Sequence, residues 1–347
     1  MKILFYAAKN YSIPVIEPLV RYGEKKGRSL SFFVSRKVKA DLPVSWRAFQ
    51  VFEEIGAAAS WKPDFVICPG NFVDFRLPGV KVQIFHGLGI EKLSHYRIRH
   101  FFDVYMTSGP AVTERFRSLQ KKYGYFLVKE TGWPKIDFIL NYPAAGLRRK
   151  YGIRTDQKVI LYAPTFSRKM ESASSLLPEI PKMAAGNEVW IIKFHELMSR
   201  DVVEKFREFN NERIRLAGER DITPLMHLAD VLISDTSSVV YEFMALDKPV
   251  ITFRTLDRRD KGIDIRHVHE CRPAVDRCLD HPGEYRESRR RHMMEVNPYL
   301  DGDTARRVDE ALSEIQREGL PLARKPGNWF RKAQVLYHAR YRKGYLR

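Results

Sequence analysis

Short apolar runs alternate along the chain with longer segments in which apolar residues recur every three or four positions. The runs KILFYAA, SLSFFVS, DFVICPG, VKVQIFHG and VYMTSG are rich in β-branched or aromatic residues and end at turn residues, so they predict strands. The segments 14–27, 46–61 and 111–124 have the spacing of amphipathic helices. This alternation is typical of a parallel sheet with helices on both faces.

The same pattern begins again after residue 157, with KVILYAPTF, EVWIIKFHE, IRLAG, VLISD and PVITF as further predicted strands. We therefore predict an α/β protein of two doubly wound, Rossmann-like domains facing a central cleft, where a ligand is expected. The predicted bounds are 1–145 for the N-terminal domain and 146–318 for the C-terminal domain. Residues 319–347 form a basic, aromatic tail.

Two predicted strands end at a histidine. His86 follows VKVQIF and precedes Gly87 and Gly89, which permit tight loop conformations. His195 ends WIIKFHE, with Lys193 two positions earlier on the same strand face. Ligands of open α/β sheets bind at the carboxyl ends of strands, so one histidine in each domain favours a joint role over two loop caps. One could accept a proton from a hydroxyl and the other could donate to phosphate oxygens.

A third strand ends at Asp235 and is followed by three hydroxyl residues and a predicted helix, VVYEFMAL. Thr236, Ser237 and Ser238 are residues that favour helix N-termini, and backbone N–H groups at a helix start attract anions. The stretch therefore predicts a phosphate or pyrophosphate site, with an ordinary capped helix as the alternative.

The loop in LYAPTFSRK is a second candidate phosphate site, through Thr165, Arg168 and Lys169, although a solvated basic loop fits equally well.

No metal site is predicted: HVHEC at 267–271 has no distant partner motif, and DGD at 301–303 fits the start of a helix. The chain has no P-loop and no dinucleotide fingerprint. No cofactor is expected, and dependence on a divalent ion is left open.

Composition narrows the partners and the compartment. Sixty Lys and Arg against 42 Asp and Glu give a net charge of +18, which favours phosphorylated substrates, an acidic membrane surface or nucleic acid. Three irregularly spaced cysteines predict a reducing cytoplasm. The apolar start of the chain is too short for a signal peptide or a membrane span, so we expect a soluble protein or one attached only to the membrane face.

The segment 324–347 contains eight Lys or Arg, no acidic residue and several aromatic residues. Trp329, Phe330, Arg331 and Lys332 have the chemistry of a contact with an anionic membrane surface. A disordered tail and a nucleic-acid contact are the alternatives. The chain contains no nucleic-acid-binding motif, so nucleic acid is an unlikely partner.

Several of these motifs together resemble a known family. HG with a following lysine, GWPKIDFIL, YAPTF, KFHE and SDTSSVVYEFMALDKPVI occur in the order seen in the CDP-glycerol glycerophosphotransferase family, the polymerases and primases of teichoic-acid synthesis. The resemblance extends from about residue 80 to 310. The family usually has HGTPLK where this chain has HGLGIEK, proline where it has Glu196, and tyrosine where it has Thr236.

The resemblance implies a GT-B fold in which the N-terminal domain, 1–145, binds the acceptor and the C-terminal domain, 146–318, holds a CDP-alditol donor. It also implies peripheral attachment to the cytoplasmic face of the membrane. His86 matches the family's proposed base, His195 its histidine near the donor phosphates, and Ser237 and Ser238 its paired serines. The residues expected to support them are Gly87, Lys193, Asp235 and Glu242. The implied reaction moves glycerol phosphate, or a related alditol phosphate, to a hydroxyl of a lipid-linked glycan or polymer. A GT-B glycosyltransferase that uses another nucleotide-activated donor, and a non-catalytic membrane or nucleic-acid binding protein, are the alternatives.

Overall fold

A computed structural model describes residues 1–167, 171–321 and 323–341, with the side chains of 339–341 left out. Its contacts divide the chain into two compact units. The first unit contains Met1–His86, Lys92–Phe138 and the chain from Glu295 onward. The second unit contains Gly87–Glu91 and Ile139–Met294.

The first unit is built on a sheet of seven parallel strands in the order β3-β2-β1-β4-β5-β6-β7. Strands β1, β2 and β4 are almost wholly buried, as expected for strands covered on both faces. The strands are β1 (Lys2–Ala7), β2 (Ser29–Val34), β3 (Gln50–Phe52), β4 (Phe65–Cys68), β5 (Val80–Gln83), β6 (Val104–Thr107) and β7 (Leu127–Glu130).

The second unit has a sheet of six parallel strands in the order β10-β9-β8-β11-β12-β13. In both sheets the third strand in sequence lies at one edge and the order reverses beside the first, which is the doubly wound arrangement that the alternating pattern predicted. The strands are β8 (Lys158–Tyr162), β9 (Glu188–Ile192), β10 (Ile214–Leu216), β11 (Val231–Ser234), β12 (Val250–Phe253) and β13 (Ile263–Ile265).

Helices connect the strands and cover the sheets. Single turns of 3-10 helix lie at Val44–Ala48, Leu93–Tyr96, Leu177–Glu179, Arg259–Lys261 and Val268–Glu270. The α-helices are α1 (Ser12–Lys25), α2 (Arg36–Lys39), α3 (Ile55–Ser60), α4 (Pro110–Tyr123), α5 (Pro134–Leu140), α6 (Leu147–Lys150), α7 (Ala173–Leu176), α8 (Ile180–Met183), α9 (Arg200–Arg207), α10 (Thr223–Leu228), α11 (Val239–Met244), α12 (Cys271–Asp280), α13 (Arg286–Val296), α14 (Thr304–Glu318) and α15 (Trp329–Tyr341).

The sequence interpretation of 46–61 as one helix is wrong. The segment holds the end of a 3-10 turn, the edge strand β3 and the short helix α3. Pairing of Gln50–Phe52 with β2 supplies backbone hydrogen bonds that local helix propensity cannot outweigh. The edge strands β7 and β13 were not predicted: β7 has only partly buried residues, and β13 is three residues long.

The chain returns to the first unit after α13, which corrects the predicted boundary at residue 318. Helix α14 packs against α1, where Arg28 donates two hydrogen bonds to the Asp309 carboxylate at 2.9 and 2.8 Å. Asp137 accepts from the backbone amides of Thr304 and Ala305 at 2.8 and 3.3 Å. Residues 295–318 therefore complete the first unit, although they follow the second in sequence.

Within the described ranges, every helix is either too short or too polar to cross a lipid bilayer.

Candidate active site

The loops that follow β8 and β11 meet at the point where the strand order of the second sheet reverses. Thr165, after β8, donates its backbone N–H to the two carboxylate oxygens of Asp235, after β11, at 3.0 and 3.1 Å. Open α/β sheets bind ligands in the crevice outside such a reversal. The second unit thus places its predicted phosphate loops where a ligand site is expected.

Asp235 and Thr236 hold this loop together from inside. Asp235 is fully buried and also accepts from the N–H and the hydroxyl of Ser172, at 3.0 and 2.9 Å. Thr236 is 2% exposed, and its hydroxyl accepts from the N–H of Leu256 at 3.3 Å. Thr165 is 4% exposed. The Asp235 carboxylate and the Thr236 hydroxyl therefore brace the loops, and the predicted contact of Thr165 and Thr236 with phosphate stays a prediction.

Ser237 and Ser238 are partly exposed on the same loop. Ser238 precedes α11 but makes no side-chain capping bond, so the alternative of an ordinary helix capped by this hydroxyl is not observed. Gly87 lies against it: a Cβ added to Gly87 would be 3.1 Å from the Ser238 hydroxyl oxygen. The absence of a side chain at Gly87 therefore lets its backbone lie close to the Ser238 side chain. This close approach, and not the tight loop conformation predicted from the sequence, is what the structure shows for Gly87.

His195 follows β9 and is exposed. Its Nδ1 accepts a hydrogen bond from the Leu197 N–H at 3.1 Å, so the neutral ring carries its proton on Nε2. The ring packs on Phe166, from the loop after β8, at a centroid distance of 4.4 Å. The second unit thus presents an N–H donor beside the loop that carries the predicted phosphate residues.

His86 lies at the corresponding edge of the first sheet, past the end of β5. Its Nδ1 is 3.2 Å from the Pro69 carbonyl oxygen, which can only accept, so the neutral ring carries its proton on Nδ1 and a lone pair on Nε2. The ring stacks on Tyr11, which follows β1, at 5.0 Å between centroids. Tyr11 and Pro69 follow β1 and β4, the strands beside which the order of this sheet reverses.

The environment of His86 keeps it neutral. The ring is open to solvent on one side, but crowding by protein atoms on the others lowers its pKa below the ordinary 6.5. The positive charges of Arg99 and Lys92 act in the same direction, and the hydrogen bond to Pro69 acts against them.

Phe85, immediately before His86, has a φ of 58° and is the left-handed residue of this turn. The sequence had suggested this conformation for the glycines that follow.

The other predicted residues fall into two groups. Lys193 lies just past β9 and donates to the Phe194 carbonyl oxygen at 2.9 Å, while Glu242 is buried in α11. Arg168 and Lys169 lie outside the described residues, so their predicted role in binding phosphate stays a prediction.

Sequence reasoning missed the residues that orient the two histidines, which are Tyr11, Pro69, Phe166 and Leu197. A usable signal existed for Tyr11 and Phe166: both are aromatic residues in loops directly after strands that flank a reversal of strand order. Nothing in the local sequence marks the Pro69 carbonyl or the Leu197 amide.

Neither weak metal motif forms a cluster. His267 and His269 stack on each other at 5.5 Å, and Asp301 pairs with Arg307. Across the described part of the chain, no three His, Cys, Asp or Glu residues come together in a geometry that could hold a metal ion.

Two parallel Rossmann-like sheets, each with a histidine at its carboxyl edge, define a protein of the GT-B class. The model of the family described as CDP-glycerol:poly(glycerophosphate) glycerophosphotransferase matches residues 97–314. The chain belongs to this family.

Individual proteins are similar to this chain in sequence or in fold. The teichoic acid glycerol-phosphate primase of Bacillus spizizenii is 34% identical over 142 residues, which are 38% of this chain and 35% of that protein. The structure of the wall teichoic acid polymerase TagF superposes with a TM-score of 0.67 at 16% identity, covering 91% of this chain and 89% of that one. UDP-GlcNAc 2-epimerase from Neisseria meningitidis, bound to UDP-GlcNAc, has a TM-score of 0.65 at 14% identity and covers 90% and 100%.

The chain spans only part of the curated relatives that it matches: 35% of this primase and 50% of a poly(glycerol phosphate) polymerase from the same organism.

Proposed function

We propose that this chain transfers glycerol phosphate, or a related alditol phosphate, from a CDP-linked donor to a hydroxyl of a lipid-linked glycan or growing polymer of the teichoic-acid type. The observation that carries the proposal is the opposite tautomers of the two histidines. His86 offers a lone pair on Nε2 and His195 offers a proton on Nε2. Transfer of a phosphoryl group between oxygens can use one group that takes the proton of the attacking hydroxyl and one that donates to the phosphate oxygens.

In the proposed reaction, the acceptor oxygen attacks the β-phosphorus of the donor while His86 Nε2 takes the hydroxyl proton. The bond from this phosphorus to the bridging oxygen breaks, and CMP leaves with the electron pair. His195 and the hydroxyls of Ser237 and Ser238 donate to phosphate oxygens and stabilise their growing charge. Family membership and the net charge of +18, which suits an anionic donor and product, support this assignment.

We further propose that α15 attaches the protein to the inner face of the cell membrane, where a lipid-linked acceptor would be found. Trp329 and Phe330 are 80% and 77% exposed at the start of the helix. Arg331 and Lys332 follow them directly, and burial together with the nearby positive charge of Arg331 lowers the pKa of Arg99. Apolar rings next to clustered positive charge favour an anionic lipid surface.

The test is an assay of the purified chain with CDP-glycerol and a lipid-linked glycan acceptor. It measures the release of CMP and the mass of the product. We expect release of CMP with addition of one or more glycerol phosphates. His86→Gln and His195→Ala should each reduce turnover by about 10²-fold or more. His269→Ala, which changes an exposed histidine outside the site, is the control and should stay within about twofold.

A nucleotide-sugar reaction is the second candidate, favoured by the structural likeness to the UDP-GlcNAc 2-epimerase. A thermal-shift panel of CDP-glycerol, CDP-ribitol, CMP, UDP-sugars and GDP-sugars separates the two. Stabilisation by cytidine ligands that weakens in Ser237→Ala supports the transfer of alditol phosphate. Stabilisation by a UDP- or GDP-sugar alone, with release of a nucleoside diphosphate, would replace it with glycosyl transfer.

A further inference from the structure

A buried charge cluster lies at the end of the segment Gly87–Glu91, which follows β5 of the first unit but belongs to the second. The Glu91 carboxylate accepts from the Tyr241 hydroxyl at 2.7 Å and from Lys261 Nζ at 2.7 Å. The Glu91 and Lys261 side chains are only 5% and 1% exposed. Lys261 Nζ also lies 4.9 Å from the centre of the Tyr241 ring, within range of a cation–π contact.

The segment is held along its whole length. At its start, Gly87 packs against Ser238, and in its middle Leu88 and Ile90 are 2% and 6% exposed. At its end, Glu91 is held by the charge cluster. The residue immediately before this anchored segment is His86.

A buried ion pair gives little more stability than an apolar pair of the same shape, because both charges must lose their water. It does specify geometry, since both groups need their partners at short range. Stabilisation alone therefore explains the buried pair of Glu91 and Lys261 poorly. A role in fixing the conformation of the segment Gly87–Glu91 explains why the pair is buried and why it lies at the end of this segment.

We propose that Glu91 is a positioning residue for His86, acting through the Gly87–Glu91 segment, an inference that rests on the role assigned to His86 in the proposed function. Lys261 and Tyr241 hold the Glu91 carboxylate and so fix the backbone that leaves His86. The imidazole then needs no reorientation when the acceptor hydroxyl arrives. Losing this anchor should slow the chemical step more than it weakens donor binding, because a misplaced base affects the reaction and not the phosphate contacts.

The experiment compares wild type with Glu91→Gln, Lys261→Met and the double variant in the full chain. We expect kcat with CDP-glycerol to fall about tenfold or more in each single variant, with the KM for the donor within about threefold. The double variant should be no slower than the slower single one, because the two residues act as one unit. Amide hydrogen exchange in residues 87–91 should be about tenfold faster in both single variants.

Glu188 provides a matched control in the same unit. Its carboxylate, 10% exposed, accepts from Trp190 Nε1 at 2.9 Å and from Arg272 at 2.8 Å, so it too joins an aromatic donor to a cation. Glu188→Gln should leave kcat and the exchange of 87–91 within about twofold of wild type. If a Glu91 or Lys261 variant fails to fold, Tyr241→Phe removes one hydroxyl from the cluster, and faster exchange in 87–91 is again expected.

Unchanged exchange in 87–91 would overturn the inference, as would a kcat within twofold of wild type in Glu91→Gln or an equal loss in Glu188→Gln. The exchange measurement needs no turnover. A wild-type chain that releases CMP from no donor would contradict the proposed function, while faster exchange in the variants would still show that the cluster anchors the segment.

Discussion

At the scale of single residues, the site depends on which nitrogen of each histidine carries the proton. His86 and His195 could be predicted from the sequence, because an apolar strand that ends in a histidine can be recognised from the order of residues alone. The sequence could not supply their tautomers. The Pro69 carbonyl that orients His86 follows a different strand, 17 residues away in sequence, and the Leu197 amide reaches His195 only through the local turn.

The first residue-scale prediction concerns pH. Because burial lowers the pKa of His86 below 6.5, the unprotonated base should persist into mildly acidic solution. We expect kcat/KM to fall on the acid side with an apparent pKa below 6.5, measured as the rate of CMP release from pH 5 to 8. His86→Gln should abolish this acid limb in the residual rate. An acid limb centred above 6.5 would contradict the assignment.

The second concerns the close approach of Gly87 to Ser238. Gly87→Ala would place a methyl group 3.1 Å from the Ser238 hydroxyl oxygen, so the serine or the segment must shift by a few tenths of an ångström. We expect affinity for CDP-glycerol to fall about three- to tenfold by isothermal titration. Gly283→Ala, where an added Cβ meets nothing within 4 Å, is the control and should bind as wild type does.

At the scale of elements, the motif GWPKIDF is a structural connection and not part of the chemistry. The backbone N–H of Trp133 donates to the side-chain oxygen of Asn297 at 2.8 Å and so binds the segment that returns to the first unit. The indole N–H of Trp133 donates to the Phe85 carbonyl oxygen at 3.2 Å. Asp137 binds the N-terminus of α14. The motif thus joins α5 to α14, the helix that completes the first unit.

Asp137→Ala should therefore destabilise the protein. Its carboxylate accepts from the Thr304 hydroxyl as well as from two backbone amides of α14, whereas Asp303, the residue that precedes the helix, makes no capping bond. We expect a loss of about 1–3 kcal/mol of unfolding free energy by urea denaturation. Asp303→Ala removes an exposed ion pair with Arg306 and should cost about 0.5 kcal/mol or less; equal losses would refute the capping role.

At the scale of the whole molecule, the sequence predicted both doubly wound sheets, because each depends on local alternation of strands and helices. It could not predict the edge strands β7 and β13, which are defined by their neighbours, or the return of residues 295–318 to the first unit. That return rests on pairs such as Arg28 and Asp309, which are 281 positions apart. Local sequence patterns cannot predict a contact between residues so far apart in the chain.

The proposed attachment through α15 is also tested on the whole chain, by sedimentation with vesicles. Trp329→Ser with Phe330→Ser should weaken binding to vesicles of anionic phospholipid by about tenfold or more, through loss of buried aromatic area. Added salt should weaken the wild type as well. Val44→Ser, which changes another exposed apolar residue of the first unit, should bind like wild type; unchanged binding of the double variant would remove α15 from the interface.

The return of the chain also sets an order of events during synthesis. A ribosome that has made residue 294 has produced every residue of the second unit, while the first still lacks the helix that packs on α1. The later unit can thus reach its final contacts first, and the earlier one must wait with one side of α1 uncovered until residues 304–318 emerge. Of the two units, the one that begins earlier in the sequence is therefore completed later.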